Sequence, residues 1–263
     1  MFEVDNISIR FGSREILRSV SARLAPGRVT VIAGPNGAGK STVLKVMTGE
    51  LKPDSGHVRF ENSALSAVPA RTIAQRRAVL PQSSALAFPF TVFEVVRLGL
   101  QNRAGLKTHE RRTIPMAALE QVDLSGFGAR HYQELSGGEQ QRVHLARILC
   151  QIGAPMIDGR AQYLFLDEPT SSLDIRHQIE TLNLARRFAR DGGGVLAILH
   201  DLNLAAAYAD HLIVMHRGEV AAAGTPADVI SDELLERVFG LPLRVGRAPA
   251  AGMPFILPQS LVG

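Results

Sequence analysis

The sequence predicts an α/β fold: a parallel sheet covered by helices on both faces, an antiparallel β layer beside it, and a helical insertion in mid-chain. Three observations carry this. After Gln162 short continuous apolar runs alternate with amphipathic stretches, the pattern of strands buried on both sides and joined by crossover helices. The first third reads as short strands separated by turn signals. Between about residues 91 and 151 the apolar spacing becomes that of helices.

In chain order, residues 3–11 alternate, Gly12-Ser13 and Pro26-Gly27 punctuate, and a strand over 57–60 follows Pro53-Asp54-Ser55-Gly56. The run Val29-Thr30-Val31-Ile32-Ala33 is a strand, and 41–48 is helix-competent. Thr91 precedes Val92, Val95, Val96 and Leu98 on one helical face; further helices are predicted over 108–122 and 139–149. Then come strand 163–166, helix 175–190, strand 195–199, helix 202–209 and strand 212–215. The Pro/Gly-rich tail, 241–263, predicts no regular element.

The 263 residues include 46% hydrophobic and 21% charged side chains, an ordinary core-forming composition. The net charge of +4 is spread along the chain. It lacks the basic blocks interleaved with aromatics that mark nucleic-acid binders, so no nucleic-acid partner is expected. Cys150 is the single cysteine, which excludes an intrachain disulfide and a thiolate metal cluster and fits a reducing compartment. The start lacks a signal-peptide layout, and no apolar stretch reaches the roughly 18 residues that span a bilayer. A cytosolic protein is expected, unless a partner holds it at a membrane.

Chemistry enters at Gly34-Pro35-Asn36-Gly37-Ala38-Gly39-Lys40-Ser41-Thr42, directly after a strand and ahead of a helix. Glycines let successive N–H groups converge on anionic oxygens, and the new helix adds its positive end. Lys40 is placed to reach the β- and γ-phosphates of a nucleoside triphosphate, and the Ser41 hydroxyl to ligate Mg²⁺. The strand ending in Asp167-Glu168 would bring two carboxylates to the same crevice, Asp167 toward Mg²⁺ directly or through water and Glu168 toward the attacking water. His200 closes another apolar strand at that edge. Leu135-Ser136-Gly137-Gly138-Glu139-Gln140-Gln141-Arg142 opens a second helix with an anion-competent tip; alone it would be an ordinary helix cap.

Together with Gln82, Pro169 and Ser172-Leu173-Asp174, these motifs resemble, in order, the ATPase subunit of ATP-binding-cassette (ABC) transporters up to about residue 226. The resemblance implies an ABC ATPase domain over 1–240 with a phosphate-loop core, a helical subdomain inserted at 83–150 and a tail at 241–263. It implies ATP and Mg²⁺ as ligands and a head-to-tail homodimer, ATP lying between one phosphate loop and Ser136, Gly137, Gly138 and Glu139 of the other copy. Phe11 matches the adenine-stacking aromatic, Gln82 the glutamine that touches Mg²⁺ and water, Asp174 the acid that couples the two sites, and His200 the switch histidine. Two transmembrane permease subunits, reached through 83–90, and indirectly a periplasmic solute-binding protein, complete the implied complex on the cytoplasmic face of the inner membrane. Phe90 to Val96 and 99–122 look like the iron-chelate and cobalamin importers. Leu173-Asp174-Ile175-Arg176-His177-Gln178 and the segment 152–162 are similar to haemin-importer ATPases. A ferric-siderophore or cobalamin importer, and a soluble cassette ATPase such as an iron–sulphur assembly factor, remain alternatives.

Overall fold

The computed structural model describes residues 1–82, 88–103, 105–250 and 252–258. The chain opens with β1 (Phe2–Phe11), β2 (Arg14–Leu24), β3 (Arg28–Ala33) and α1 (Lys40–Met47). It continues through β4 (Ser55–Phe60), β5 (Ser63–Ala64), α2 (Ala70–Arg76) and β6 (Arg77–Leu80). Three helices follow, α3 (Val92–Arg97), α4 (Glu110–Gln121) and α5 (Gly137–Ile152). After the small hairpin β7 (Met156–Ile157) and β8 (Arg160–Ala161) come β9 (Tyr163–Asp167), α6 (Ile175–Arg190), β10 (Gly194–Ile198), α7 (Leu202–Tyr208), β11 (His211–His216) and β12 (Glu219–Gly224). Two short helices, α8 (Pro226–Val229) and α9 (Asp232–Leu234), precede a π turn at Leu235–Phe239.

Six strands form one sheet in the order β12-β11-β3-β10-β9-β6, and β2-β1-β4-β5 form an antiparallel sheet. Five strands of the larger sheet run parallel; β12 is an antiparallel edge. Side chains alternate across the parallel strands and divide the core in two. Val29, Val31, Leu164, Leu166, Val195, Ala197, Leu212 and Val214 face α3 to α7. Ile32, Tyr163, Phe165, Leu196, Ile198, Ile213 and Met215 face α1 and the antiparallel sheet. Each buried Val, Leu, Ile, Phe or Met side chain among them contributes about 1.5–3 kcal/mol, so a one-residue slip, which exchanges the faces of a whole strand, is strongly disfavoured.

The parallel register aligns the functional ends. Ile198 pairs with both Ile32 and Asp167, and Leu80 pairs with Leu166. Gly34, Asp167, His200 and Gln82 therefore leave the sheet at one carboxyl edge, where ligands of parallel α/β sheets bind. Two expected details change: strand β6 joins this edge although 77–80 carried no strand assignment, and the sheet is not wholly parallel because β12 closes it.

The middle of the chain is helical. Thr91 caps α3 with a reciprocal box, its hydroxyl accepting from Glu94 N–H while the Glu94 carboxylate accepts from Thr91 N–H. Cys150 is buried in the core, its thiol pushed up to about 12 by burial, which makes it an inert packing residue. Residues 240–250 and 252–257 carry no helix or strand after the π turn; the Arg244 guanidinium and Val245 N–H reach the Asp232 carboxylate at 2.9 and 2.7 Å. Among the described residues no helix is long and apolar enough to cross a membrane.

Candidate active site

The cradle begins at the end of β3, beside its parallel neighbour β11. Gly34 has φ +142°, and a Cβ there would fall 2.2 Å from the Met215 carbonyl oxygen, so no other residue fits without moving β11. Gly39 stands at the α1 N-cap with φ +98° and offers no side-chain cap. The first N–H groups of α1 have no intrahelical acceptor; with the helix's positive end they suit an anion. Lys40 is 6% exposed, and its ammonium donates to the Gly34 and Pro35 carbonyls at 2.9 Å each. Burial lowers its pKa, opposed by Glu168 and Asp167.

Ser41 Oγ donates to Asp167 Oδ1 at 3.0 Å, joining α1 to the end of β9. Asp167 is 5% exposed; burial raises its pKa, with the Ser41 bond lowering it and Glu168 raising it further. A desolvated carboxylate beside a serine hydroxyl is an oxygen donor set that fits a hard divalent cation and suits Mg²⁺, which keeps several waters. Gln82 is exposed two residues beyond β6 at the same edge.

Glu168 adopts φ +53°, a left-handed conformation uncommon for a residue with a side chain and frequent at functional sites. Its peptide oxygen accepts from Ser171 Oγ at 3.2 Å and Gln141 Nε2 at 3.0 Å. Its Oε1 lies 2.5 Å from His200 Nε2. His200 is followed by Asp201, whose carboxylate caps α7 by accepting from Asn203 and Leu204 N–H.

The remaining residues singled out in the sequence sit elsewhere on the surface. Phe11 ends β1 and is 55% exposed, so it can offer a π face. Ser136 caps α5: its N–H and hydroxyl donate to Glu139 Oε2 at 2.7 and 2.8 Å, and its Oγ accepts from Glu139 N–H. The ordinary helix cap is thus present, and Gly137 and Gly138 follow it in the first turn. Asp174 caps α6 and accepts from His177 N–H and Nδ1 at 2.9 and 2.8 Å; these bonds lower its pKa, the backbone bond most. Sequence reasoning assigned no role to Gln141, which bridges α5 to Glu168, or to His177, whose Nε2 lies 3.4 Å from Asp123 Oδ2.

A model of the ABC transporter family matches residues 17–171. The chain belongs to the ABC transporter family. It is an ATP-binding, ATP-hydrolysing cassette of that family. Over its whole length this ABC cassette is 54% identical to "Hemin import ATP-binding protein HmuV" of Mesorhizobium japonicum, covering 100% of both chains. It is 52% identical to the protein of the same description from Rhizobium meliloti, covering 99% of each. Among solved structures it resembles a dimeric ATP-binding cassette in a post-hydrolysis state bound to ADP and Pi, with a TM-score of 0.76 and 26% identity over 86% of this chain and 99% of that one. An ATP-binding subunit of an ABC transporter superposes with a TM-score of 0.75 and 26% identity, covering 92% and 94%.

Proposed function

We propose that this cassette is the energy-coupling ATPase of an importer that carries haemin across the inner membrane. The observation that carries the proposal is end-to-end identity of 54% with a protein named for hemin import. The chain would act at the cytoplasmic face as a peripheral homodimer on two permease subunits supplied by a periplasmic binding protein. In this reading residues 1–240 are the ATP-binding domain, 83–150 its helical subdomain and 241–263 a tail.

The chemistry assigned to the site is positioning and electrostatics, as phosphoryl transfer requires. Phe11 stacks on adenine; the backbone of residues 34–42 and the Lys40 ammonium hold the triphosphate. Ser41, Asp167 and Gln82 would hold Mg²⁺, which neutralises charge on the β- and γ-phosphates when bound. Glu168 orients and deprotonates water, and His200, already in contact with Glu168, steadies the γ-phosphate side. Ser136, Gly137, Gly138 and Glu139 of the second copy seal the nucleotide. For that, the Ser136 hydroxyl exchanges its bond to Glu139 for a phosphate oxygen. Asp174 couples the two sites.

The test is ATP hydrolysis by this chain with its permease in liposomes containing the binding protein. Haemin is expected to stimulate it, and ferric siderophores and corrinoids to leave it near the basal rate. Stimulation by a siderophore or corrinoid instead of haemin would overturn the substrate assignment.

The permease contact is placed at 83–90, of which 83–87 lie outside the described residues. Phe88 is exposed beside Phe90. Next to them lies a groove of ≈ 740 Å³ lined by Phe93, Arg97, Arg111, Arg112 and Met116, with Arg97 stacked over Phe93 at 5.8 Å. Its apolar floor and basic rim suit an amphipathic helix with acidic flanks. Arg111→Glu combined with Arg112→Glu is expected to weaken permease co-purification and lower import about tenfold or more, the loss of one or two rim charge pairs plus repulsion. Unchanged permease binding and import would remove this groove from the interface.

A further inference from the structure

We propose that Gln141 is a positioning residue for Glu168, one that ties the Ser136 tip of α5 to the hydrolytic carboxylate of its own chain. The proposal rests on the reading of Glu168 as the group that activates water.

One carboxamide grips two points of a single loop, the connection between β9 and α6. Gln141 Nε2 donates to the Glu168 carbonyl oxygen at 3.0 Å, and Gln141 Oε1 accepts from Ser172 N–H at 3.3 Å. A carbonyl only accepts and a peptide N–H only donates, so one orientation of the amide satisfies both. The peptide held in this way belongs to a residue at φ +53°, a conformation that costs free energy and persists where surrounding contacts enforce it. Ser171 supplies the neighbouring restraint.

A second contact lies on the same helix face. Gly138, three residues before Gln141 and hence its neighbour across one turn, packs so closely on this loop that a Cβ would fall 2.9 Å from the Ser172 carbonyl oxygen. Gly138 and Gln141 thus seat the first turns of α5 on Ser172, while Ser136 caps that helix. The loop runs on to Asp174, the N-cap of α6. A displacement of the α5 tip by a nucleotide held on the second copy therefore reaches the Glu168 peptide through a half-buried amide, with no flexible segment between them. The contact makes water activation in one site respond to engagement of the other.

The experiment measures steady-state phosphate release by the full chain with Mg²⁺ and ATP. Gln141→Met keeps side-chain length and helix propensity but removes both hydrogen bonds. It is expected to lower kcat about tenfold, the effect of about one lost hydrogen bond felt at the reacting group. KM for ATP should stay within about twofold, because the phosphate cradle is built by other residues. Gln141→Glu, which can still accept from Ser172 but cannot donate to the Glu168 carbonyl, should fall in the same direction and serves if the methionine variant misfolds. In a Glu168→Gln background either change should lower the residual rate less than about twofold, since residues acting as one unit are non-additive. A parental kcat in both Gln141 variants, or the same fold-loss with and without Glu168, would overturn the proposal. Full turnover by Glu168→Gln alone would instead overturn the reading on which it rests.

Discussion

Glu168→Gln is expected to abolish steady-state ATP hydrolysis, by a factor on the order of 10²–10⁴, while ATP still binds and holds two copies together. The carboxamide is isosteric with the carboxylate, so the cradle of residues 34–42 is untouched. What disappears is the acceptor for the proton of the attacking water. The surrounding geometry favours a clean separation of binding from chemistry. Glu168 is anchored by its own backbone, through Gln141 and Ser171, and its side chain reaches His200 without holding the phosphate loop. Size-exclusion chromatography with ATP should show a long-lived dimer for the variant and a transient one for the parent. Undiminished phosphate release would remove Glu168 from the role of base.

Lys40→Ala is expected to act at the earlier step and weaken ATP binding about 10²–10³-fold, the loss of roughly 3–4 kcal/mol of charge-assisted hydrogen bonding to the phosphates. Lys40 is buried, and its ammonium spans the Gly34 and Pro35 carbonyls. It therefore carries two burdens: it shapes the loop, and it provides the positive charge at the loop's centre. Removing it leaves two carbonyl oxygens without this donor and takes away one of the cations near Asp167 and Glu168. Titration calorimetry with ATP reads the change directly. An affinity within about threefold of the parent would contradict the cradle.

Much of the architecture was legible because the relevant forces are local. The parallel strands are runs such as Val195-Leu196-Ala197-Ile198, apolar on both faces, and a strand buried on both faces must be continuous in this way. The phosphate loop is contiguous, so its glycines, lysine and serine announce the site before any folding is considered. Short elements were harder. Asp158-Gly159, both with positive φ, form the two-residue turn of the β7–β8 hairpin; the turn signal is local, but two-residue strands leave no alternation beside it to mark them as strands. Strand β6 has four residues, Arg77-Ala78-Val79-Leu80, and becomes a strand through its pairing with β9. Edge strand β12 is rich in alanine and glycine and acquires its extended form from β11.

By itself the sequence determined the glycine-rich phosphate-loop pattern, the order of most of the longer strands and helices, and the carboxylates at the end of β9, because spacing of a few residues controls backbone conformation and local charge. Tertiary structure alone decided which of those groups meet. Ser41 and Asp167 are 126 residues apart, Gln141 and Glu168 27 apart, and nothing in their neighbours along the chain encodes either bond. They are brought together by the parallel register at one edge of the sheet and by the seat of α5 on the Ser172 loop. Both depend on burying the two apolar faces of the sheet at once, a cooperative property of the whole fold.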